Sequence, residues 1–135
     1  MFRFLERCED YGKLPLRLLV GALFLFTGIT KALNFKGTVG FLTMKSFPMP
    51  TFMAGLLTVG EIAGGLMLVL GFLTRIGAAI LSIVLIVALV KVHAAQLGTA
   101  QAAEFYKVLS LLGATLSLIL LGPGKPSLDD WLAWE

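Results

Sequence analysis

Four long stretches of apolar and small residues divide the chain. They run over residues 14–30, 52–72, 76–95 and 105–121. An α-helix needs about 20 residues to cross the ~30 Å hydrocarbon core of a bilayer, and each stretch is close to that length. The pattern therefore predicts an all-α integral membrane four-helix bundle, with residues 1–135 forming a single four-span membrane domain.

The connections between these stretches are of different kinds. Residues 73–75 join the second and third stretches, which predicts a tight antiparallel hairpin with its turn on the side of both termini. Residues 31–51 mix apolar residues with Thr and Lys, and they predict a short interfacial helix or re-entrant loop between spans 1 and 2. After Gly122 the sequence predicts a short last helix, with Trp131 and Trp134 in the headgroup layer.

Composition supports a membrane location. The chain is 58% apolar with a mean hydropathy of +0.93, and only 14% of its residues are charged, whereas soluble domains carry about 25%. The lipid bilayer is therefore the first partner we expect. The net charge of +3 comes without a basic patch interleaved with aromatic residues, so no nucleic acid is expected as a partner.

Charges near the ends of the spans bear on processing and orientation. Glu6, Glu9 and Asp10 precede the first apolar stretch, which predicts a retained first span rather than a cleaved signal peptide. On the positive-inside rule, six Lys and Arg on the side of the termini against five on the other side favour both termini in the cytoplasm.

Glu61 stands out because it lies near the middle of the second stretch. A carboxylate at that depth costs about 2.5–3.5 kcal/mol on insertion scales, so such residues are usually paired, protonated or next to a wet cavity. We interpret Glu61 as a site residue. The alternative is that it only joins helices through a buried hydrogen bond.

Small and polar residues recur at spacings of three and four within each stretch, which places them on one helical face. This pattern predicts a bundle with a polar interior, and Gly60 and Gly64 form a small-xxx-small packing motif. The four faces are Arg17, Gly21, Phe24, Gly28 and Lys31; Thr58, Glu61, Gly64, Gly65 and Leu68; Ser82, Ile86, Leu89, His93 and Gln96; and Tyr106, Ser110, Gly113 and Ser117.

Three further residues fall at the membrane depth where the second stretch begins. Lys31 ends the first stretch, His93 lies near the end of the third, and Glu104 opens the fourth. Together with Glu61 they predict one ligand-binding pocket in the half of the membrane away from the termini. We assign Glu61 and His93 catalytic proton transfer, since histidine is the side chain that titrates nearest neutral pH. Lys31 would neutralise the carboxylate or donate to a quinone-type carbonyl.

Other chemistries find little support in the chain. The single cysteine, Cys8, excludes an internal disulfide or a CxxC pair, and no metal-ligand spacing occurs. No metal and no covalently bound cofactor are therefore expected. Arg17 and Arg75 are predicted to form structural ion pairs with Asp129 or its neighbour.

The chain resembles the DoxX family of small four-helix membrane proteins. The resemblance covers nearly the whole chain in order, through six groups of residues. These are Arg17 with Phe24, Gly28 and Lys31; Glu61 with Gly64 and Gly65; residues 70–75; Ala88 with His93; Glu104; and residues 121–129 without Pro126.

This resemblance implies a bundle in the cytoplasmic (inner) membrane of a bacterium or archaeon and a role in redox physiology. Relatives include the small subunit of thiosulfate:quinone oxidoreductase and a subunit of membrane-bound oxidoreductase assemblies. The related vitamin K epoxide reductase-like bundles use cysteine pairs, which this chain lacks, so thiol–disulfide chemistry does not carry over.

Three functions follow as hypotheses. The first is a membrane subunit that binds a quinone or similar lipophilic molecule near Glu61 and serves an oxidoreductase partner protein. The second is a small-molecule or proton-coupled permease with Glu61 as the coupling site. The third is a non-catalytic membrane scaffold, and a homo-oligomer is left open in each case.

Overall fold

The computed structural model describes residues 8–93 and 97–122, together with Arg3 and Leu5. Within these residues the chain is helical and contains no strand. The helices are α1 (Glu9–Leu33), α2 (Phe35–Met44), α3 (Pro50–Leu70), α4 (Thr74–Ala88), which a π-helical turn (Leu89–His93) continues, and α5 (Ala102–Leu121).

Four of these helices are long and apolar enough to cross a membrane. The candidate spans are Tyr11–Leu33, Pro50–Leu70, Thr74–His93 and Ala102–Leu121. The predicted all-α membrane bundle, with a short helix between its first two spans, is confirmed.

Helix ends differ from the predicted bounds where the backbone turns. The first helix begins at Glu9, five residues before the predicted start of span 1, and continues through Pro15. The second span ends at Leu70 because Gly71 adopts φ 71°, a left-handed conformation that glycine tolerates. Leu73, also left-handed at φ 48°, completes the connection, and Thr74 opens α4. The predicted last helix, with Trp131 and Trp134, lies outside the described residues.

The spans pack most closely at glycines of α1, α3 and α4. A Cβ added to Gly65 would lie 2.7 Å from the backbone nitrogen of Leu25 and 2.8 Å from the carbonyl oxygen of Gly21. A Cβ on Gly64 would lie 3.2 Å from the carbonyl oxygen of Gly77. Gly60 makes only ordinary contacts at 3.5 Å, so the tight approach occurs one turn beyond the first glycine of the predicted motif.

The apolar core fills the bundle beyond Glu61. Leu68, Leu81 and Leu118 have no exposed surface. Leu68 lies two turns past Glu61 along α3. A hydrogen bond crosses this core, from the Ser82 hydroxyl to Thr115 Oγ1 at 2.8 Å.

Two contacts bring three parts of the chain to the same end of the bundle. Lys13 Nζ donates to the carbonyl oxygen of Leu121 at 3.3 Å. The Arg75 side chain lies against Gly122, where an added Cβ would be 3.1 Å from Arg75 Nη2. The start of α1, the α3–α4 connection and the end of α5 therefore share one end, here called the terminal end. The opposite end, with residues 34–49 and 97–101, is called the loop end.

The helical faces were predicted correctly for α1 and α3, whose predicted residues are buried except Lys31, which is half-buried. On α4 the prediction is wrong at Ile86, which is exposed while Leu85 is buried. Gln96, the last residue of that face, lies outside the described residues. On α5 it is wrong throughout, because its four predicted residues are all exposed and Thr115 and Leu118 are buried instead. Serine hydroxyls explain this error: Ser110 and Ser117 each donate to the carbonyl four residues earlier at 2.9 Å, so they are satisfied without facing a helix.

Candidate functional site

Glu61 is buried in α3 and paired with a cation from α1. Its residue exposure is 4%. Lys31, in the last turn of α1, places Nζ 2.5 Å from Glu61 Oε1. A buried carboxylate in a membrane protein is costly unless paired, and this contact offsets much of that cost.

A second α1 side chain contacts the other carboxylate oxygen. The Thr27 hydroxyl lies 3.2 Å from Glu61 Oε2, and also 3.1 Å from the Phe24 carbonyl oxygen. Sequence reasoning missed Thr27. Its signal was present, because Thr27 precedes Lys31 by four residues and so lies on the same helical face.

Gly28 allows α1 to approach the carboxylate closely. A Cβ on Gly28 would lie 2.7 Å from Ile62 Cγ1 and 3.1 Å from Glu61 Cβ. A larger residue would push the helices apart at this point. Since Thr27 precedes Gly28 and Lys31 follows one turn later, the glycine positions both donors against Glu61.

A cavity of about 200 Å³ opens beside this ion pair. Its polar lining comes from Lys31, Thr38, Glu61 and His93. The remaining lining is apolar: Phe41, Leu42, Phe47, Leu57, Val84, Val87, Ala88 and Val92. Three of the four predicted ligand-binding residues thus line one cavity on the loop-end side of the bundle.

The π-helical turn Leu89–His93 brings α4 to the cavity. It places Val92 and His93 in the cavity wall. Such turns are rare and occur frequently at functional sites. The sequence held no signal for it, since neither proline nor glycine interrupts residues 78–97.

The helix α2 forms the outer wall. The Thr38 hydroxyl lies 3.3 Å from the carbonyl oxygen of Lys31, which fixes α2 against the end of α1. Leu42 and Phe47 are 3% and 6% exposed and pack with Ala54 of α3. Sequence reasoning expected an interfacial helix here but did not predict that it would cover Glu61.

The other predicted residues lie elsewhere. Glu104 is exposed and pairs with Lys107 at 3.1 Å. It does not line the cavity, so we do not carry it into the proposed site. Arg17 is 2% exposed near the terminal end, and Arg75 packs on Gly122. Their predicted partner, Asp129, lies outside the described residues, and the ion pairs stay predictions.

The cavity combines an ion pair without net charge, Lys31–Glu61, with a mainly apolar lining. Lys31 donates hydrogen bonds, and the Glu61 carboxylate accepts a proton or a hydrogen bond. His93 can donate or accept. Among the described residues, no three His, Cys, Asp or Glu side chains form a group that could hold a metal ion.

Comparison with known proteins identifies the chain at the level of family. The DoxX family model matches residues 12–94, which hold the first three spans and every residue that lines the cavity. The chain belongs to the DoxX family. No solved structure matches it significantly.

Three curated relatives cover most of this DoxX protein. The inner membrane proteins YqjF and YphA of Escherichia coli are 31% and 33% identical to it. Those matches cover 95% of this chain and 97% of YqjF, and 84% of this chain and 84% of YphA. A Bacillus subtilis protein named "Putative oxidoreductase CatD" is 33% identical over 95% of this chain and 92% of its own length.

Proposed function

We propose that this DoxX protein is the membrane subunit of an oxidoreductase assembly and binds a quinone-type molecule beside Glu61. The observation that carries the proposal is the Lys31–Glu61 ion pair in the wall of a mainly apolar cavity. The oxidoreductase name of the Bacillus subtilis relative supports the redox role.

A quinone suits this combination of groups. Its carbonyl oxygen accepts a hydrogen bond from Lys31 Nζ, and its ring contacts the apolar wall. Reduction to the quinol takes two electrons from the partner oxidoreductase and two protons. Glu61 and His93 carry those protons to the quinone, and both side chains are then reprotonated from the loop end.

The cavity size limits what enters. Pockets for drug-sized ligands hold about 300–1,000 Å³, whereas this cavity has about 200 Å³. We therefore place one ring with short substituents in the cavity. An isoprenoid tail would remain in the lipid.

The core beyond Glu61 is closed to a permeating molecule in this conformation. The fully buried Leu68 and Leu81 fill the bundle on the terminal side of the carboxylate, so the permease hypothesis requires a second conformation in which they separate. The scaffold hypothesis applies if the protein shows neither quinone binding nor proton transfer.

The inner membrane, with both termini in the cytoplasm, is the proposed location, and a homo-oligomer stays a prediction.

Binding of a short-chain quinone to the purified protein tests the proposal by isothermal titration calorimetry. Ala88→Leu fills the cavity without touching its polar groups and should weaken binding at least about tenfold. Ala22→Leu makes the same change on an exposed position of α1 and should leave binding unchanged. Equal quinone affinity in wild type and Ala88→Leu would contradict binding in this cavity.

A second pair of variants tests the polar wall. Glu61→Gln should weaken quinone binding or block its reduction by the partner. Glu104→Gln also removes a carboxylate from a lysine pair, but away from the cavity, and should have no effect. Equal effects of the two substitutions would contradict a specific role for Glu61.

A further inference from the structure

The loop end carries a strong positive charge. Five lysines and two carboxylates lie there or line the cavity. The lysines are Lys31, Lys36, Lys45, Lys91 and Lys107, and the carboxylates are Glu61 and Glu104. These groups sum to +3, which is the net charge of the whole chain. The remaining charges along the sequence balance, so these seven groups carry the excess.

Only two of these lysines have a carboxylate partner among the described residues. Lys31 pairs with Glu61 and Lys107 with Glu104. Lys45 and Lys91 instead lie over aromatic rings: Lys45 Nζ is 5.7 Å from the centre of the Phe41 ring, and Lys91 Nζ is 5.8 Å from that of Phe47. A ring face holds a cation without neutralising its charge.

Both rings belong to the cavity wall. Phe41 and Phe47 line the cavity that contains Glu61. The ammonium groups of Lys45 and Lys91 therefore lie over two rings of one cavity wall. Lys91 is two residues before the end of the third candidate span and Lys45 five residues before the start of the second, so we expect both near the headgroup layer. Lysines near a membrane surface attract the headgroups of anionic lipids in that leaflet. With both termini in the cytoplasm, as proposed above, the lipid would come from the leaflet on the other side of the membrane.

We propose that the rim formed by Lys45 and Lys91 is a binding site for the phosphate of one anionic phospholipid. The lipid's acyl chains would lie along the apolar surface at the mouth, and the headgroup would neutralise the two lysines. This site lies outside the cavity and is independent of the quinone proposal. Lipid from the membrane is favoured over free phosphate because the rim adjoins an apolar opening rather than a solvated cleft.

Lipid retention tests this inference without any redox partner. The purified protein is equilibrated with phosphatidylglycerol or with phosphatidylcholine, and the bound lipid is counted by native mass spectrometry. We expect one retained phosphatidylglycerol. The double variant Lys45→Gln/Lys91→Gln should reduce its retention about tenfold.

A charge-matched control separates the site from general attraction. Lys36→Gln/Lys107→Gln removes the same charge from the same end of the bundle but leaves both lysines on the cavity rim. It should retain phosphatidylglycerol within about twofold of wild type. Equal losses in the two double variants, or no preference over phosphatidylcholine, would overturn the proposal. Displacement of the lipid by inorganic phosphate at equal concentration would overturn the choice of lipid.

Discussion

Lys31 and Glu61 form an ion pair whose two side chains differ in exposure. The lysine side chain is 36% exposed and the carboxylate 5%. Lys31 is in the last turn of α1, so it reaches the carboxylate from the loop end, and its side chain lines the cavity. Protons or ligands arriving from that end meet Lys31 before they meet Glu61.

Substitution of Glu61 separates chemistry from packing. Glu61→Gln keeps the shape and can still accept from Thr27, so the melting temperature in detergent should fall little. Partner-linked quinone reduction should be abolished, because an amide does not exchange protons. Glu61→Ala should additionally destabilise the bundle by about 1–3 kcal/mol. Full activity in a stable Glu61→Gln protein would favour the scaffold hypothesis.

His93 should matter less than Glu61. His93→Ala removes the second proposed proton carrier but leaves the ion pair, and a water molecule could fill the vacated space. We expect quinone reduction to slow by about tenfold rather than stop. Steady-state rates of the assembled complex measure this. A loss of activity as complete as that of Glu61→Gln would contradict the smaller role assigned to His93.

A double-mutant cycle measures the ion pair itself. Lys31→Met, Glu61→Gln and the double variant should give a coupling energy of about 1–3 kcal/mol in unfolding. This is below the value for a fully buried pair because Lys31 is partly exposed. The same cycle on Lys107 and Glu104 provides the control, with a coupling below about 0.5 kcal/mol for an exposed pair one turn apart on a helix. Equal couplings would mean that the membrane interior does not strengthen the Glu61 contact.

Glycine packing can be tested at two glycines of α3 that differ in their surroundings. Gly65→Ala places a Cβ within 2.8 Å of backbone atoms of α1, which cannot move aside like a flexible side chain. We expect a loss of about 2–3 kcal/mol in unfolding free energy. Gly60→Ala meets only side chains at 3.5 Å and should change stability by less than about 0.5 kcal/mol. A tolerated Gly65→Ala would show that α1 and α3 pack less closely than described.

The hydrogen bond across the core should contribute little. Thr115→Val keeps the shape of the side chain and removes its bond with Ser82, which also lies 2.8 Å from the carbonyl oxygen of Ala78. Interhelical hydrogen bonds in membranes average about 0.6 kcal/mol, so we expect a loss of that size. Ser110→Ala, on the exposed face of α5, is the control and should be neutral in thermal melting.

The sequence alone determined the class of protein, the four spans and the need of Glu61 for a partner. Apolar stretches of membrane-spanning length leave few structural alternatives, because unsatisfied backbone groups are too costly in lipid. A carboxylate at mid-span likewise demands a partner, and spacing already placed Lys31 on the α1 face that meets it. Thr27 lay on that same face and could have been found by the same reasoning.

Only the tertiary structure decided which helix covers the site and which faces turn outward. The α2 wall and the π-helical turn depend on how the helices meet in space. Nothing local in residues 34–49 or 89–93 records that contact. The buried face of α5 was predicted wrongly from its serines. Each hydroxyl donates to a carbonyl of its own helix, so a polar residue there can face outward. Glu104 does not line the cavity for a related reason: its depth matched that of His93, but depth along a span does not fix the side of the bundle on which a residue lies.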